Sequence, residues 1–345
     1  MLIHWIISCT EIIQMTYSIH QHWDPLQVCA VGRSYPPEFY SYIDNVKVRT
    51  QFEQIAEETE QDYQSLIKLL QSFDVDVVRI KVSNNHKDHV IDGVIQAPPM
   101  VPRDWCTMIG DTFYAPRRHW TQFGHADAYD RVQAQGNKII HSININSAQT
   151  TRIGRDLYHG TEEVQQPDLL EERNQMFPEY RNHVVDSAGH SDGVYCPVKP
   201  GLIVSLYDIQ QYNETFPGWE VVYLPGQSWS KVSSFLKHKQ KVKGKWWVPG
   251  AELNDDFTEY VESWMSHWVG YVEESVFDVN MLVIDEQNVI CNNENDAVFQ
   301  AFEQHGITPH VCNFRHRYFW DGGIHCVTQD LHRLGKQKDY FPERG

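Results

Sequence analysis

A single cysteine near the C-terminal end of the chain, Cys326, follows a glycine-rich turn in the segment Gly322-Gly323-Ile324-His325-Cys326. Far upstream, the segment Gly189-His190-Ser191-Asp192-Gly193 carries a histidine and an aspartate two positions apart. A cysteine is a useful nucleophile only as its thiolate, so it needs a base or a cationic neighbour. His190 is the candidate for that base.

Two aspartates are candidates for binding a cation beside this cysteine. If the upstream segment is a strand, Asp192 lies on the same face as His190, because side chains alternate across a strand. Asp104, in Pro102-Arg103-Asp104, supplies a second carboxylate. One Cys, one His and two Asp favour attack on a positively charged, planar, carbonyl-like carbon, and a guanidinium fits that description.

The composition of the 345-residue chain restricts the class of protein. A hydrophobic content of 41% is enough for a large core, in one domain or two. The formal net charge of -17 disfavours nucleic acid and anionic membranes as partners and is compatible with a cationic substrate. The seven cysteines are widely spaced and form no CxxC motif, which favours a reducing compartment. We therefore predict a cytoplasmic protein.

No part of the sequence has the run of roughly 18–20 apolar residues that a membrane-spanning helix needs. Residues 1–15 are apolar, but they lack the basic start and the cleavage site of a signal peptide. We predict an N-terminal extension over residues 1–19, with Met15 as an alternative start. A single catalytic domain is predicted over residues 20–335, and a C-terminal tail over residues 336–345.

Strand-like and helical patterns alternate along the chain. The clearest helix covers residues 49–73, with Phe52, Ile55, Tyr63, Leu66, Ile67 and Leu70 on one apolar face. Further helices are predicted over residues 154–159, 168–176, 209–214, 254–267 and 296–305. Strands are predicted over residues 28–31, 75–82, 105–109, 138–145, 194–198, 202–206, 220–224, 280–284, 289–292, 308–313 and 325–331. Short strand pairs recur with intervening helices, which predicts a mixed α/β fold other than a doubly wound sheet.

Several segments, taken in order, resemble the arginine:glycine amidinotransferase family of the pentein superfamily. They are Trp23-Asp24-Pro25-Leu26, Val31-Gly32-Arg33, Pro102-Arg103-Asp104, residues 152–156, His190-Ser191-Asp192, residues 200–205, residues 281–286, Gly322-Gly323-Ile324-His325-Cys326 and residues 330–333. The most specific are the His-x-Asp and Gly-Gly-x-His-Cys segments. The resemblance implies the pentein fold, a five-bladed α/β propeller of ββαβ units with pseudo-fivefold symmetry and a central active site.

The resemblance also implies a mechanism. Cys326 would attack the guanidinium carbon of a donor such as arginine, while Asp104 and Asp192 hold the guanidinium nitrogens. His190 would protonate the leaving amine and then deprotonate an incoming amine, so that the amidino group passes through an amidino-Cys326 intermediate. The partners implied are a small-molecule guanidino donor and an amine acceptor, without a cofactor or metal, and a homodimer is one option for assembly.

Three positions depart from the family pattern. Asn146 stands where the family has the aspartate that orients the histidine, and an amide stabilises an imidazolium less well. The family arginine that receives the donor carboxylate aligns near Ile209, and a family Ser-Ser pair aligns with Glu273 and Glu274. Two glutamates in place of carboxylate-binding groups favour a substrate with an amine end, such as agmatine or a polyamine.

The segment of about residues 227–270 is longer than the family pattern and rich in tryptophan and lysine. It is either a lid that reshapes substrate access or a surface subdomain with its own small aromatic core. A single-stranded nucleic-acid groove also combines these residue types, but the acidic net charge disfavours it. The tryptophans are Trp229, Trp246, Trp247, Trp264 and Trp268.

Three alternatives to a transferase are open. A guanidine hydrolase (deiminase) on the same scaffold would use water in place of the acceptor amine. A catalytically impaired protein would bind a guanidino metabolite, as Asn146 suggests, but it would have no need for the Cys326 thiol. A zinc site is the third alternative, although its candidate ligands match no standard spacing. These ligands are Cys312, His316, His325 and Cys326, or His86 with His89.

Overall fold

A computed structural model describes residues 16–161, 168–187, 189–206, 212–224, 233–238, 242, 245–270 and 276–345. Several sequence predictions lie outside these ranges. They are the first 15 residues of the N-terminal extension, the assignments at Ile209, Glu273 and Glu274, and parts of the tryptophan- and lysine-rich segment.

The described residues form seventeen strands and nine α-helices, some of a single turn. The strands are β1 (Leu26–Val31), β2 (Asp76–Arg79), β3 (Val90–Ile91), β4 (Val94–Ile95), β5 (Thr107–Ile109), β6 (Thr112–Ala115), β7 (Lys138–His141), β8 (Thr150–Ile153), β9 (Asp156–Gly160), β10 (Arg181–Val185), β11 (Tyr195–Lys199), β12 (Leu202–Ser205), β13 (Glu220–Tyr223), β14 (Leu282–Asp285), β15 (Asn288–Cys291), β16 (Thr308–Val311) and β17 (Thr328–Arg333). The helices are α1 (Val46–Ser72), α2 (Ala126–Ala134), α3 (Leu169–Met176), α4 (Tyr212–Thr215), α5 (Ser233–His238), α6 (Asp255–Trp264), α7 (Val276–Val279), α8 (Asp296–Gln304) and α9 (Arg317–Trp320).

Five three-stranded sheets share one pattern of strand directions. β5 and β6 pair antiparallel, and β7 joins β6 in parallel after α2. The series β8–β9–α3–β10, β11–β12–α4–β13 and β14–β15–α8–β16 repeat this order. The fifth sheet combines both ends of the described chain, because β17 pairs with β1, and α1 connects β1 to its parallel neighbour β2. The ββαβ unit therefore occurs five times, with a helix in each crossover between parallel strands.

The long helix α1 confirms the strongest helix prediction. It begins after Asn45, whose side chain accepts hydrogen bonds from the backbone N–H groups of Lys47 and Val48. Its apolar face, which includes Phe52 and Leu66, is buried in the largest hydrophobic cluster of the described residues. Tertiary packing of that face stabilises the helix.

The helix predicted over residues 154–159 is wrong. Gly154 has a φ of +64° and lies in the turn of the β8–β9 hairpin. The chain reverses direction at this turn and continues as the strand β9 instead of a helix. All five residues of β9 are buried, so the strand lacks the alternation that identifies a half-buried strand from sequence. Every other predicted helix and strand overlaps an observed element.

The described part of the tryptophan- and lysine-rich segment belongs to the main core. Trp246, Trp247 and Trp268 are buried in the same hydrophobic cluster as α1. Trp246 contacts the rings of Phe257 and Phe319 with centroids 5.7 Å apart in each pair. These tryptophans therefore share one hydrophobic core with α1, and the described part of the segment forms no separate aromatic core.

Both ends of the described chain pack onto the body of the protein. Ile19 is fully buried and forms a β-bridge with Gly110. Near the other end, Phe341 is buried and Arg344 forms an ion pair with the buried Asp156 at 3.1 Å. Within the described ranges, no helix is both long enough and apolar enough to cross a bilayer.

Candidate active site

The candidate residues lie in five loops, each of which precedes the first strand of one ββαβ unit. These loops carry Asp104 before β5, Asn146 before β8, His190 and Asp192 before β11, Asn280 before β14, and Cys326 before β17. Five hydrogen bonds join each loop to the next and close a ring. They are Ser147 N to Arg103 O (3.1 Å), Asp192 N to Ala148 O (3.1 Å), Asn280 Nδ2 to Asp192 O (3.2 Å), His325 N to Asn280 Oδ1 (3.0 Å) and Arg103 Nε to His325 O (2.7 Å).

The sulfur of Cys326 lies between an amide and a carboxylate. Its Sγ is 3.1 Å from Asn280 Nδ2 and 3.6 Å from Asp192 Oδ2. Burial raises the pKa of the Cys326 thiol well above its ordinary value, and Asp192 and Asp104 raise it further. Cys326 is partly exposed, whereas the five other described cysteines are buried. Cys326 is thus a partly exposed thiol whose raised pKa favours the protonated form.

Asp192 is held in place by His325, the residue before Cys326. His325 Nδ1 donates a hydrogen bond to Asp192 Oδ2 at 2.8 Å. Burial and the charge of Arg103 lower the pKa of His325 to about 4, so the ring is neutral at neutral pH. Burial alone would raise the pKa of Asp192, but its bond to His325 lowers the pKa, so the carboxylate is ionised. Asp192 Oδ1 is buried and accepts no hydrogen bond from the described residues.

Asp104 and His190 are neighbours in the site, and Asp104 is near enough to the Cys326 thiol for its charge to raise the pKa of that thiol. His190 Nδ1 is 3.8 Å from Asp104 Oδ1, and 42% of the His190 side chain is exposed. Burial raises the pKa of Asp104 to about 7; His190 opposes this rise, and the charges of Asp192 and Asp321 add to it. Because this pKa lies near neutrality, Asp104 loses its proton and becomes a stronger cation-binding group as the pH rises through that range.

A cavity of about 190 Å³ lies beside Asp104. Its wall contains a further carboxylate, Asp321, and the aromatic side chains of Trp268 and Trp320. Desolvation raises the pKa of Asp321; His190 opposes this rise and the charge of Asp192 reinforces it. A cavity lined by both carboxylates and indole rings is suited to an organic cation with an apolar body.

A buried ion cluster anchors the loops of the site. Asp330 in β17 is fully buried and forms ion pairs with Arg103 (3.2 Å), Arg152 (2.8 Å) and Arg333 (2.8 Å). Arg103 Nε also donates to the carbonyl oxygen of His325, the residue before Cys326. Three guanidinium groups around one carboxylate leave a net positive charge near the acidic site.

The structure brings Cys326, Asp192, Asp104 and His190 into one site, with one local difference from the prediction. Asp192 lies in a 3-10 helix (Ser191–Gly193), and the strand β11 begins only at Tyr195. Since the segment is not extended, Asp192 faces Cys326 and His325, whereas His190 lies beside Asp104.

Asn146 is buried in its loop, where it contacts Gln149. Its Oδ1 accepts a hydrogen bond from Gln149 N at 2.9 Å, and its Nδ2 is 3.4 Å from Gln149 Oε1. That Asn146 orients His190 therefore stays a prediction, and Glu273 and Glu274 lie outside the described residues.

Sequence reasoning assigned no role to Asn280 or Asp321, and it named His325 only as a possible zinc ligand. Asp321 and His325 lie in or directly beside the glycine-rich segment, so that segment was itself a signal for them. Asn280 was predicted only as the start of a strand, and its contact with Cys326 joins residues 46 positions apart.

The zinc alternative finds no support in the part of the chain that the structure describes. No group of three or more His, Cys, Asp or Glu side chains there is arranged to hold a metal ion. His316, one of the suggested ligands, has Nε2 2.6 Å from Glu58 Oε2.

Solved structures define the class of fold. The structure of SxtG, an amidinotransferase from Microseira wollei in the saxitoxin biosynthetic pathway, matches with a TM-score of 0.68 at 18% identity, covering 94% of this chain and 99% of that one. The inosamine-phosphate amidinotransferase StrB1 from Streptomyces griseus matches with a TM-score of 0.66 at 16% identity and the same coverage. A dimethylarginine dimethylaminohydrolase matches with a TM-score of 0.54 at 10% identity, covering 88% of this chain and 99% of that one. The chain therefore has the fold that these proteins share.

Sequence comparisons give particular relatives. The chain is 22% identical over 225 residues to L-arginine:L-lysine amidinotransferase of Pseudomonas savastanoi pv. phaseolicola, covering 61% of this chain and 51% of that protein. It is 25% identical over 224 residues to mitochondrial glycine amidinotransferase of Gallus gallus, covering 61% of this chain and 44% of that protein. No protein-family model matches the chain. The predicted resemblance to amidinotransferases is thus confirmed, although the chain spans only about half the length of these curated relatives.

Proposed function

We propose that the chain is an amidinotransferase-like enzyme that moves an amidino group from a guanidino donor to an amine acceptor through Cys326. The observation that carries this proposal is the 3.6 Å contact between Cys326 Sγ and Asp192, beside the second carboxylate, Asp104. A cation bound by the two carboxylates would lie directly against the sulfur.

The electrostatics of the free site support activation of the thiol by the substrate. Burial and the charges of Asp192 and Asp104 raise the pKa of Cys326 and so favour its protonated form. A bound guanidinium would neutralise those carboxylates and so lower the pKa of the thiol. The nucleophile would then form chiefly when a cationic donor is in place, which limits side reactions of the free enzyme.

The reaction is proposed to proceed in two half-reactions. The Cys326 thiolate forms a C–S bond to the guanidinium carbon, and the bond to the departing nitrogen breaks as His190 donates a proton to it. The product amine leaves, and an amidino group remains on the sulfur. His190 then accepts a proton from an incoming amine, whose nitrogen attacks the amidino carbon and releases the thiolate.

Mass spectrometry after an acid quench tests this proposal. Arginine and agmatine are offered separately to the wild-type protein, to Cys326→Ala and to Cys312→Ala, whose substitution removes a buried cysteine. We expect an amidino adduct on the Cys326 peptide of the wild-type and Cys312→Ala proteins and no adduct on Cys326→Ala. An adduct that persists in Cys326→Ala, or no adduct with either donor, would contradict the proposal.

The same experiment tests the hypothesis of an amine-ended substrate. Agmatine lacks the carboxylate of arginine, and the acidic wall that contains Asp321 should repel that group. We therefore expect faster adduct formation with agmatine. Equal Michaelis constants for the two donors would argue against this preference.

Donor binding is expected to strengthen with pH, because the pKa of Asp104 is raised to about 7. Below that pH a donor cation must displace the carboxyl proton, so affinity should rise by up to about tenfold per pH unit and level off above it. Calorimetric titration of Cys326→Ala with agmatine checks this rise. Asp104→Asn in the same background should bind weakly, with little pH dependence across this range.

The stability of the Asp104→Asn variant provides the control for folding. The folded protein holds the Asp104 proton at a higher pH than the unfolded chain does, so ionisation of Asp104 reduces stability as the pH rises to about 7. Asp104→Asn should therefore be more stable than the parent protein above that pH. A variant that is unstable at every pH would make its weak binding uninformative, and Asp104→Ser would then replace it.

A guanidine hydrolase is the second candidate function, favoured by the fold shared with a dimethylarginine dimethylaminohydrolase. Once the adduct has formed, the protein is transferred to buffer with or without a primary amine. Release that depends on the amine supports the transferase. Equal release in both buffers supports the hydrolase.

Several finer predictions accompany this proposal. The closed ring of hydrogen bonds between the five loops supports an arrangement of the five ββαβ units around a common axis, as in a propeller. A catalytic domain over residues 20–335, a homodimer and a cytoplasmic location are proposed on sequence grounds alone.

A further inference from the structure

The side chain of Asn280 uses its whole hydrogen-bonding capacity around the nucleophile. Its Nδ2 donates to Cys326 Sγ at 3.1 Å and to the carbonyl oxygen of Asp192 at 3.2 Å. Its Oδ1 accepts from the backbone N–H groups of His325 at 3.0 Å and Cys326 at 3.2 Å. An amide has two N–H donors and two acceptor lone pairs, so all four are engaged.

These partners fix the orientation of the amide. The two backbone groups that face Oδ1 are both donors, so the oxygen must point towards them. The nitrogen must then point towards the carbonyl oxygen of Asp192 and the sulfur. The N–H donor is therefore aimed at Sγ by contacts that do not involve the sulfur.

We propose that Asn280 is a catalytic residue that orients the sulfur of Cys326 and stabilises its thiolate through a hydrogen bond from a neutral donor. This inference rests on the proposed function in so far as the thiolate is the nucleophile. A hydrogen bond to the sulfur favours the anion over the thiol. A lysine or arginine at this position would also favour the anion, but its charge would repel a cationic donor molecule. An amide supplies the hydrogen bond without that repulsion.

The packing around Asn280 prevents the amide from moving away. Asn280 is 1% exposed, and its backbone carbonyl oxygen accepts a hydrogen bond from Asn292 Nδ2 at 2.6 Å. The Oδ1 of Asn292 accepts from Ile324 N at 2.9 Å, so a second amide holds the same loop. A Cβ at position 323 would lie 2.5 Å from Asn280 Oδ1, which explains why the segment has glycine there.

The rate at which iodoacetamide alkylates Cys326, measured from neutral to alkaline pH, tests this role without any substrate. In Asn280→Ala the thiolate loses its donor, so the midpoint of the pH profile should move upward. Alkylation below the midpoint should slow by roughly 10- to 100-fold. In Asn280→Asp the midpoint should move further, because a carboxylate replaces the donor. The two acceptor positions for the backbone N–H groups are retained in that variant.

Asn182→Ala is the matched control, since the side-chain amide of Asn182 also donates to backbone carbonyl oxygens, those of Phe177 and Tyr180, but lies outside the five loops of the site. Its profile should coincide with that of the wild type even if its stability falls. Peptide mapping of the five buried cysteines checks that each variant is folded. If the buried cysteines become reactive in Asn280→Ala, that variant is not folded, and the pH profile of Cys326 alkylation in Asn280→Asp is used instead.

Coincident profiles of a folded Asn280 variant and the wild type would overturn the inference, whatever reaction the protein catalyses. A shifted profile in a protein that forms no amidino adduct would instead refute the proposed function and leave the role of Asn280 in stabilising the thiolate intact. The two failures are therefore distinguishable.

Discussion

Replacement of Asp192 by asparagine is expected to lower kcat/KM for a guanidino donor by roughly 10²- to 10³-fold. The variant loses the carboxylate that lies 3.6 Å from the sulfur and has one oxygen without a hydrogen-bond donor among the described residues. A bound guanidinium would then lack one of its two proposed charged partners. The fall is expected mainly in the formation of the amidino adduct, measured by quenched-flow mass spectrometry.

The same substitution should make the thiol more reactive towards a neutral reagent. Asp192 raises the pKa of Cys326, second only to burial, so loss of its charge should lower that pKa. Alkylation of Cys326 by iodoacetamide should accelerate, while the five buried cysteines stay protected if the fold is intact. Asp186→Asn makes the same charge change at a half-buried residue that hydrogen-bonds Thr161 at 3.0 Å, and it should alter neither readout. An unchanged kcat/KM in Asp192→Asn would remove this residue from the mechanism.

Replacement of Asp330 by asparagine is expected to reduce the free energy of unfolding by about 3–5 kcal/mol. The carboxylate of Asp330 is fully buried and forms ion pairs with Arg103, Arg152 and Arg333, which are also buried. An amide keeps the shape but leaves three guanidinium groups without a counter-charge in a low-dielectric interior. A loss of this size is a large part of the roughly 5–15 kcal/mol by which folded proteins are stable.

Denaturation by urea at neutral pH measures this loss, and Asp130→Asn is its control. Asp130 pairs with Arg118 at 2.5 Å, but about half of each side chain is exposed, so solvent screens the pair and its loss should change stability far less than the loss of Asp330 does. Burial alone would raise the pKa of Asp330, but the three arginines hold it well below its usual range. The stabilisation should thus be complete above about pH 4 and be lost only in stronger acid. Equal losses of unfolding free energy in the two variants would show that the buried ion cluster stabilises the protein no more than an exposed ion pair does.

The two experiments concern connected parts of the molecule. Arg103 binds both Asp330 and the carbonyl oxygen of His325, whose ring binds Asp192. A weakened ion cluster should therefore reduce the order of the Cys326 loop before the protein unfolds globally.

Local sequence patterns predicted much of the fold. The apolar face of α1 and the strand pairs were evident because periodicity and turn residues are properties of neighbouring positions. The β8–β9 hairpin was mistaken for a helix because β9 is buried over its full length and so lacks alternation. The repetition of the ββαβ unit could not be derived from residues alone, since β17 pairs with β1 from the opposite end of the described chain.

By itself, the sequence determined which chemical groups are available: the candidate nucleophile Cys326, the acid–base candidate His190 and the carboxylates Asp104 and Asp192. Tertiary structure alone decided which groups surround the sulfur. Asn280 contacts Cys326 across 46 positions, and Arg103 holds the loop of His325 across 222. Such contacts leave no periodic trace in a single sequence, because burial and hydrogen-bond geometry depend on how distant loops meet. The packing of these loops also sets the pKa values of the site and therefore the reactivity of the Cys326 thiol.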